Sequence, residues 1–208
     1  MRSKVLPPVG SADLSDSPPS ESAVPAGWPS KLVPNFSEWL SADIVLVGSD
    51  GTRAARAIQA AQRTSFSAVT RAGYEYTHAA LYLGDGRLID ATVASGISER
   101  SVWDYCGHRK LTVRRVPGLS PTDINDIVNK AKTHLGKNYA WLGVVISKLI
   151  PKTEPNPKRL YCSTFVGLSI DQGSGRKLAS LPEHKPLYPG TLMAHPGLDQ
   201  IELEWRPV

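Results

Sequence analysis

Three residues of this chain, His78, Asp90 and Cys162, carry between them the parts of a thiol acyl-transfer site. Cysteine is a strong nucleophile only as the thiolate, and a helix N-terminus or a neighbouring cation lowers its pKa. Leu160-Tyr161-Cys162-Ser163-Thr164-Phe165-Val166 puts Cys162 where a loop becomes a helix. The unpaired N–H groups and positive dipole end of a helix start favour a thiolate there, and the same groups can bind a developing oxyanion. An imidazole to take the thiol proton and a carboxylate to orient the imidazole complete the set. Taken singly, a cysteine is more often a buried structural residue. A strand histidine beside a carboxylate is, likewise, more often a satisfied core residue. Only the combination carries the reading.

The element that must bring His78 to Asp90 is a β-hairpin. His78-Ala79-Ala80-Leu81-Tyr82-Leu83 is short, apolar and rich in strand formers, and Gly84-Asp85-Gly86 is a turn signal. Arg87 to Ala91 returns. Pairing across that turn brings the far ends, and so His78 and Asp90, close together. Ahead of the hairpin, Ala42 to Gly48 is an apolar run ending in glycine and predicts the first strand. Thr52 to Arg63 predicts a helix, and polar Thr64 to Gly73 a loop. After the hairpin, Leu111 to Val116 alternates as a half-exposed strand does. Ser120-Pro121-Thr122-Asp123 is a helix start, with Ile124, Ile127, Val128, Ala131 and Leu135 on one face and Gly136 as the stop. Tyr139 to Ile150 predicts a buried helix closed by Pro151, and Lys152 to Arg159 a basic loop. Cys162 to Gln172 predicts a helix ended by Gly173-Ser174-Gly175, and Gln200 to Trp205 a terminal edge strand.

Strands, then helices, then a last strand predict an α+β fold, with a small antiparallel β-sheet packed on helices. The first residues are rich in Pro, Ser and Ala and poor in large apolar side chains. Residues 1–38 are therefore expected to form a disordered or loosely packed extension, with the folded boundary near Pro34 to Leu40 and a single catalytic domain over 39–208. The chain opens without the apolar run of a signal peptide, and no segment has the length of a membrane-spanning helix. The expected location is cytoplasmic, or outside the cell by a non-classical or contact-dependent export system. A net charge of +5 suits an anionic polymer or membrane surface. No run of Lys and Arg interleaved with aromatics accompanies it, so nucleic acid is not expected as a partner.

The order of these motifs resembles a known superfamily. Ala42-Asp43-Ile44-Val45-Leu46-Val47, Thr77-His78-Ala79-Ala80-Leu81-Tyr82-Leu83-Gly84-Asp85-Gly86, Leu88-Ile89-Asp90-Ala91 and Gly96-Ile97 are similar to the core of NlpC/P60 papain-like proteins. Histidine ahead of cysteine reverses the usual order and is similar to the circularly permuted branch, with its YiiX-like and lecithin–retinol acyltransferase-like members. Gly136-Lys137-Asn138-Tyr139 resembles a G-x-x-Y segment of the YiiX-like group. The chain departs from the pattern at Ala42, where the family has glycine, and at Phe165, where an acidic or small residue is common.

The resemblance implies a permuted papain-like fold with Cys162 as nucleophile, His78 as general base and acid, and Asp90 as orienting third member. The main-chain N–H of Cys162 would be an oxyanion donor, assisted by Tyr161 or Tyr139. It implies no cofactor and no metal. Its favoured substrate is an amide of peptidoglycan peptides. That, with the missing signal peptide, suggests a delivered antibacterial effector with a delivery or immunity protein as partner. Two alternatives stay open: a lipid acyl hydrolase or acyltransferase using the same triad, and a catalytically inactive binding module.

Other features have plainer readings. Cys106-Gly107-His108 is too close in sequence for a triad, and a poor zinc site without further ligands. Gly48-Ser49-Asp50-Gly51-Thr52 lacks the Gly-Lys-Ser/Thr ending of a phosphate loop and reads as a turn. Asp43 is expected to serve structure. His134, His184 and His195 have no partner legible in the sequence.

Overall fold

The structure, a computed structural model, describes residues 28, 32–107, 109–137, 162–178 and 187–207. The helix expected over 139–150, the loop over 152–159, Tyr139, Tyr161, His108, His184 and residues 1–27 lie outside the described residues.

The fold is α+β, with an antiparallel sheet of six strands as its centre. In chain order the elements are β1 (Leu32–Pro34), β2 (Ile44–Gly48), α1 (Arg53–Arg63), α2 (Ala68–Ala72), β3 (Tyr76–Gly84), β4 (Arg87–Thr92), β5 (Gly96–Ser101), β6 (Leu111–Arg115), α3 (Pro121–Lys132), α4 (Cys162–Ser174), α5 (Pro189–Ala194), β7 (Asp199–Ile201) and β8 (Trp205–Pro207). The sheet runs β5-β4-β3-β2-β6-β7, and β1 pairs with β8 in a separate ribbon.

The β3–β4 hairpin forms as its turn residues predict. Gly84, Asp85 and Gly86 take φ of 94°, 52° and 68°, the left-handed region that a tight two-residue turn requires. Aspartate tolerates that region better than most residues because its short side chain bonds locally. The Tyr82 hydroxyl accepts a hydrogen bond from the Gly86 N–H at 3.2 Å and ties the turn to the strand.

Both faces of the sheet are buried. One packs Ile44, Leu46, Ala79, Leu81, Ile89 and Ala91 against Ile127 and Ala131 of α3 and Phe165, Val166 and Ile170 of α4. The other packs Val45, Val47, Ala80, Tyr82 and Leu88 beneath Phe36, Trp39, Val102, Tyr105 and Cys106. Each large apolar side chain so buried contributes about 1.5–3 kcal/mol. The close approach of α4 to α3 needs Gly173, where a Cβ would lie 2.4 Å from the backbone N and Cα of Ile127. α3 begins with the capping box expected from Ser120 and Asp123, each side chain bonding the other's backbone N–H.

Several boundaries differ from expectation. Val33 and Phe36 are buried and β1 is paired, so the packed body reaches into the stretch expected to be loose. Even Trp28 is anchored, its indole N–H donating to the Leu32 carbonyl at 3.0 Å and its ring meeting Trp103 edge-on. Thr64 to Gly73 is not all loop: Ser67 caps the short α2. Leu111, Thr112 and Val113 of β6 are buried rather than half-exposed, because β6 lies between β2 and β7. Leu135 is exposed, because α3 stops at Lys132, before that residue could join its apolar face. The single terminal strand is in fact two, β7 on the main sheet and β8 on β1. No helix among the described residues is long and apolar enough to cross a membrane.

Candidate active site

The hairpin register builds the first half of the site. Ala80 pairs with Asp90, so His78, two residues earlier on β3, is the diagonal same-face neighbour of Asp90. The His78 Nε2 lies 2.8 Å from Asp90 Oδ2. A bulge follows the Val47–His78 pair, with Thr77 as the extra residue of β3. Bulges commonly re-aim side chains beside functional groups. The start of β3 is also pinned from outside the sheet. Buried Gln62 of α1 donates to the carbonyls of Tyr74 and Tyr76 at 3.1 and 2.9 Å and accepts from the Gly190 N–H of α5 at 2.6 Å.

Asp90 is fully buried, which an ionised carboxylate tolerates only with its lone pairs satisfied. Arg100 Nε donates to Oδ1 at 2.9 Å, and the Tyr105 hydroxyl makes a short hydrogen bond to Oδ2. Arg100 extends the network by donating to Thr92 Oγ1 at 3.1 Å and Ser95 Oγ at 2.6 Å. Burial pushes the Asp90 carboxyl up. The opposing pull of His78, the Tyr105 hydroxyl and the Arg100 charge is greater and holds it below the usual carboxylate range. The Tyr105 hydroxyl also lies 3.1 Å from His78 Nε2, so it touches both members of the pair.

Cys162 is the first residue of α4, which packs on β3 and β4. Its side chain is a hydrogen-bonding and charge partner of His78. Burial opposes a charge on His78. The Asp90 hydrogen bond, the Cys162 hydrogen bond and charge, and the Asp90 charge outweigh it and push the imidazole up to about 9. The structure thus brings His78, Asp90 and Cys162 together from three elements. Of the three, His78 has the most exposed side chain, at 15%.

Sequence reasoning missed Arg100 and Tyr105. Arg100 was within its reach: Asp90 pairs with Ser98 across β4–β5, which makes Arg100 the diagonal neighbour of Asp90. Tyr105 had no such signal. It follows a single 3-10 turn, Val102–Asp104, capped by Ser101 Oγ accepting from the Trp103 N–H at 3.3 Å. Only the way that turn folds back over β4 brings its hydroxyl to Asp90.

The remaining candidates fall away from the site. Asp43 is a structural carboxylate that takes Arg115 through both oxygens at 2.7 Å and the Leu40 N–H at 2.8 Å. Cys106 is buried in the aromatic core, where burial pushes its thiol up to about 12. Asp50 Oδ1 accepts from the Thr52 N–H at 3.0 Å and Thr52 caps α1, the turn expected there. His134 Nδ1 is 2.7 Å from Lys137 Nζ, and its ring meets Phe165 edge-on. His195 Nδ1 accepts from the Gly197 N–H at 3.0 Å. No cluster of three or more His, Cys, Asp and Glu suited to a metal ion occurs among the described residues. No family model matches the chain, and no curated protein is significantly similar to it.

Proposed function

We propose that this protein is a cysteine hydrolase that forms an acyl-enzyme on Cys162, with a permuted papain-like fold and amide bonds of peptidoglycan peptides as substrate. The observation that carries it is the meeting of a helix-start cysteine with an imidazole whose Nε2 is held by a buried carboxylate. The antiparallel sheet with the Cys162 helix packed on it supports the fold assignment. So does Ala42, which stands where the resembled family has glycine and takes a φ of 72° that glycine favours.

In this reading Asp90 and Tyr105 occupy Nε2, and Nδ1 serves Cys162. The imidazole already holds the thiol proton in an ion pair, and the thiolate attacks the substrate carbonyl. The main-chain N–H of Cys162, at the positive end of α4, donates to the oxyanion. The C–N bond then breaks as the imidazolium protonates the leaving amine, leaving a thioester. A water molecule gives a proton to His78 and attacks the thioester, which releases the carboxylic acid and restores the thiol. Asp90 stays ionised throughout and fixes the ring. Because the imidazolium persists to about 9, activity holds through neutral pH and falls as pH rises through that value.

The test is digestion of purified peptidoglycan, read as newly exposed amino groups, with Cys162→Ala and His78→Ala as controls. Release that both substitutions abolish supports the proposal. Fatty-acid release from phospholipid with no peptidoglycan cleavage would replace it with the lipid acyl hydrolase reading. Turnover of neither substrate, with a Cys162 thiol of ordinary reactivity, would leave a binding module. The effector role is tested separately: expression directed to the periplasm of a Gram-negative host should lyse it, and cytoplasmic expression should not.

A further inference from the structure

Asp90 is served by more partners than an orienting carboxylate needs. Its Oδ2 is shared between His78 Nε2 and the Tyr105 hydroxyl, while Arg100 holds Oδ1. A phenol that donates to a carboxylate takes up part of its negative charge, and the effect is large in a dry site. Tyr105 is locked in that state. Burial and the Asp90 charge and hydrogen bond push its hydroxyl far above the ordinary phenol range, so it remains a donor at every working pH. Its ring centroid lies 5.3 Å from that of His78, and the Arg109 guanidinium carbon is 5.4 Å from the centre of the Tyr105 ring.

We propose that Tyr105 is a positioning residue of the thiol site: by competing with His78 for Asp90 Oδ2, its hydroxyl limits the share of carboxylate charge that reaches the imidazole and holds the ring toward Cys162. The catalytic meaning of this inference rests on the proposed hydrolase reading. The competition itself does not.

Among the described residues, the charged and titratable groups facing His78 are Asp90 from β4, Cys162 from α4 and Tyr105 from the turn after β5. Arg100 of β5 acts at one remove through Asp90, and Arg109, ahead of β6, acts through the Tyr105 ring. Tyr105 makes two opposed contributions. Its oxygen, 3.1 Å from Nε2, can accept from the imidazolium, which favours the charge. Its donation to Asp90 weakens the carboxylate's hold on the imidazolium, which disfavours it. The second contact is charge-assisted, so it governs the sign. Without Tyr105 the imidazole binds its proton more tightly and becomes a poorer acid toward the leaving group.

The measurement is the NMR titration of the His78 imidazole in the full-length protein carrying Cys162→Ser, which removes the thiolate from the balance. Adding Tyr105→Phe should raise the His78 midpoint by about half a pH unit, roughly a threefold gain in proton affinity. An unchanged or lowered midpoint overturns the inference. A second measurement covers a Tyr105→Phe chain that fails to fold: difluorotyrosine placed at position 105 keeps the shape and makes the hydroxyl a stronger donor. It should lower the midpoint, and no change or a rise overturns the inference. Neither titration needs a substrate. Failure of the peptidoglycan assay with both shifts seen would thus remove the peptidoglycan reading and leave the Tyr105 competition standing.

Discussion

Each face of the central sheet buries one cysteine outside any disulfide, and the two could hardly differ more in chemistry. Cys106 lies on the aromatic face, among Phe36, Trp39 and Tyr82, in a cluster that offers its sulfur no opposite charge. Burial there only penalises the thiolate, and the thiol is pushed up to about 12. Cys162 lies on the helical face and is equally hidden, yet it starts a helix and meets His78. Burial alone makes a cysteine inert. Burial with a helix start and an imidazole favours the thiolate instead. The two aspartates buried among the described residues teach the same lesson. Asp43 is consumed by Arg115 and the Leu40 N–H, whereas Asp90 divides itself between Arg100, Tyr105 and His78 and so reaches a titratable ring.

The sharpest way to break the comparison between the faces is alkylation at pH 7, followed residue by residue by mass spectrometry. Iodoacetamide should modify Cys162 at least about 100-fold faster than Cys106, whose thiolate fraction at that pH is on the order of 10⁻⁵ for a thiol near 12. His78→Ala should collapse most of that ratio by slowing Cys162. Equal rates at the two cysteines in the folded protein would end the distinction.

Damage to the aromatic face that spares Tyr105 should leave that chemistry alone. Phe36→Ala empties a buried site between Trp39 and Trp103 and should cost about 3–5 kcal/mol in denaturant unfolding, with the ratio of cysteine rates in the folded state unchanged. A stability loss under 1 kcal/mol would mean that the N-terminal aromatics do not belong to the core.

Stability against pH separates the two cysteines more gently. His78 is raised from 6.5 to about 9 on folding, so its contribution is complete below 6.5 and is lost as pH climbs through 9. The loss should reach up to about 3 kcal/mol across that window. Asp90, held low, acts at the other end: its contribution is present above the ordinary carboxylate range and fades as pH falls through its depressed value. Cys162→Ala should flatten the alkaline slope, because its hydrogen bond and charge help to raise His78, while Cys106→Ala should leave it as it was. Identical slopes in both variants would contradict the pairing of Cys162 with His78.

The smallest effect concerns Ala42, on the helical face, whose φ of 72° costs an alanine about 1–2 kcal/mol. Relief of that strain should offset the lost methyl contact and the added chain entropy. Ala42→Gly should therefore change thermal stability by less than about 0.5 kcal/mol. Ala79→Gly, a buried methyl lost from a regular strand of the same face, should cost about 1.5 kcal/mol. Equal costs would show that the Ala42 backbone is not strained.

Much of the site was determined by local sequence. Two glycines flanking Asp85 permit a tight turn, and a tight turn with strand formers on both sides sets the register that puts His78 beside Asp90. Ser120 and Asp123 start α3 by side chains that bond backbone within one turn, and Gly175, at a φ of 70°, follows the end of α4. These are short-range effects, and short-range effects are legible one residue at a time. The meeting of Cys162 with His78 was suggested by residue type and motif order, but 84 positions separate the two residues, and no local rule joins them.

Tertiary structure alone decided the rest. Tyr105 reaches Asp90 because a one-turn segment folds across the sheet, and Gln62 reaches Tyr74, Tyr76 and Gly190 because α1 and α5 close on the start of β3. The short terminal strands divided between two partners for the same reason. Three residues have too little intrinsic preference to choose an edge, so β7 went to the main sheet beside β6, and β8 to β1. Buried polar groups must find partners wherever the packed chain offers them, and that requirement is met only once the whole fold has formed.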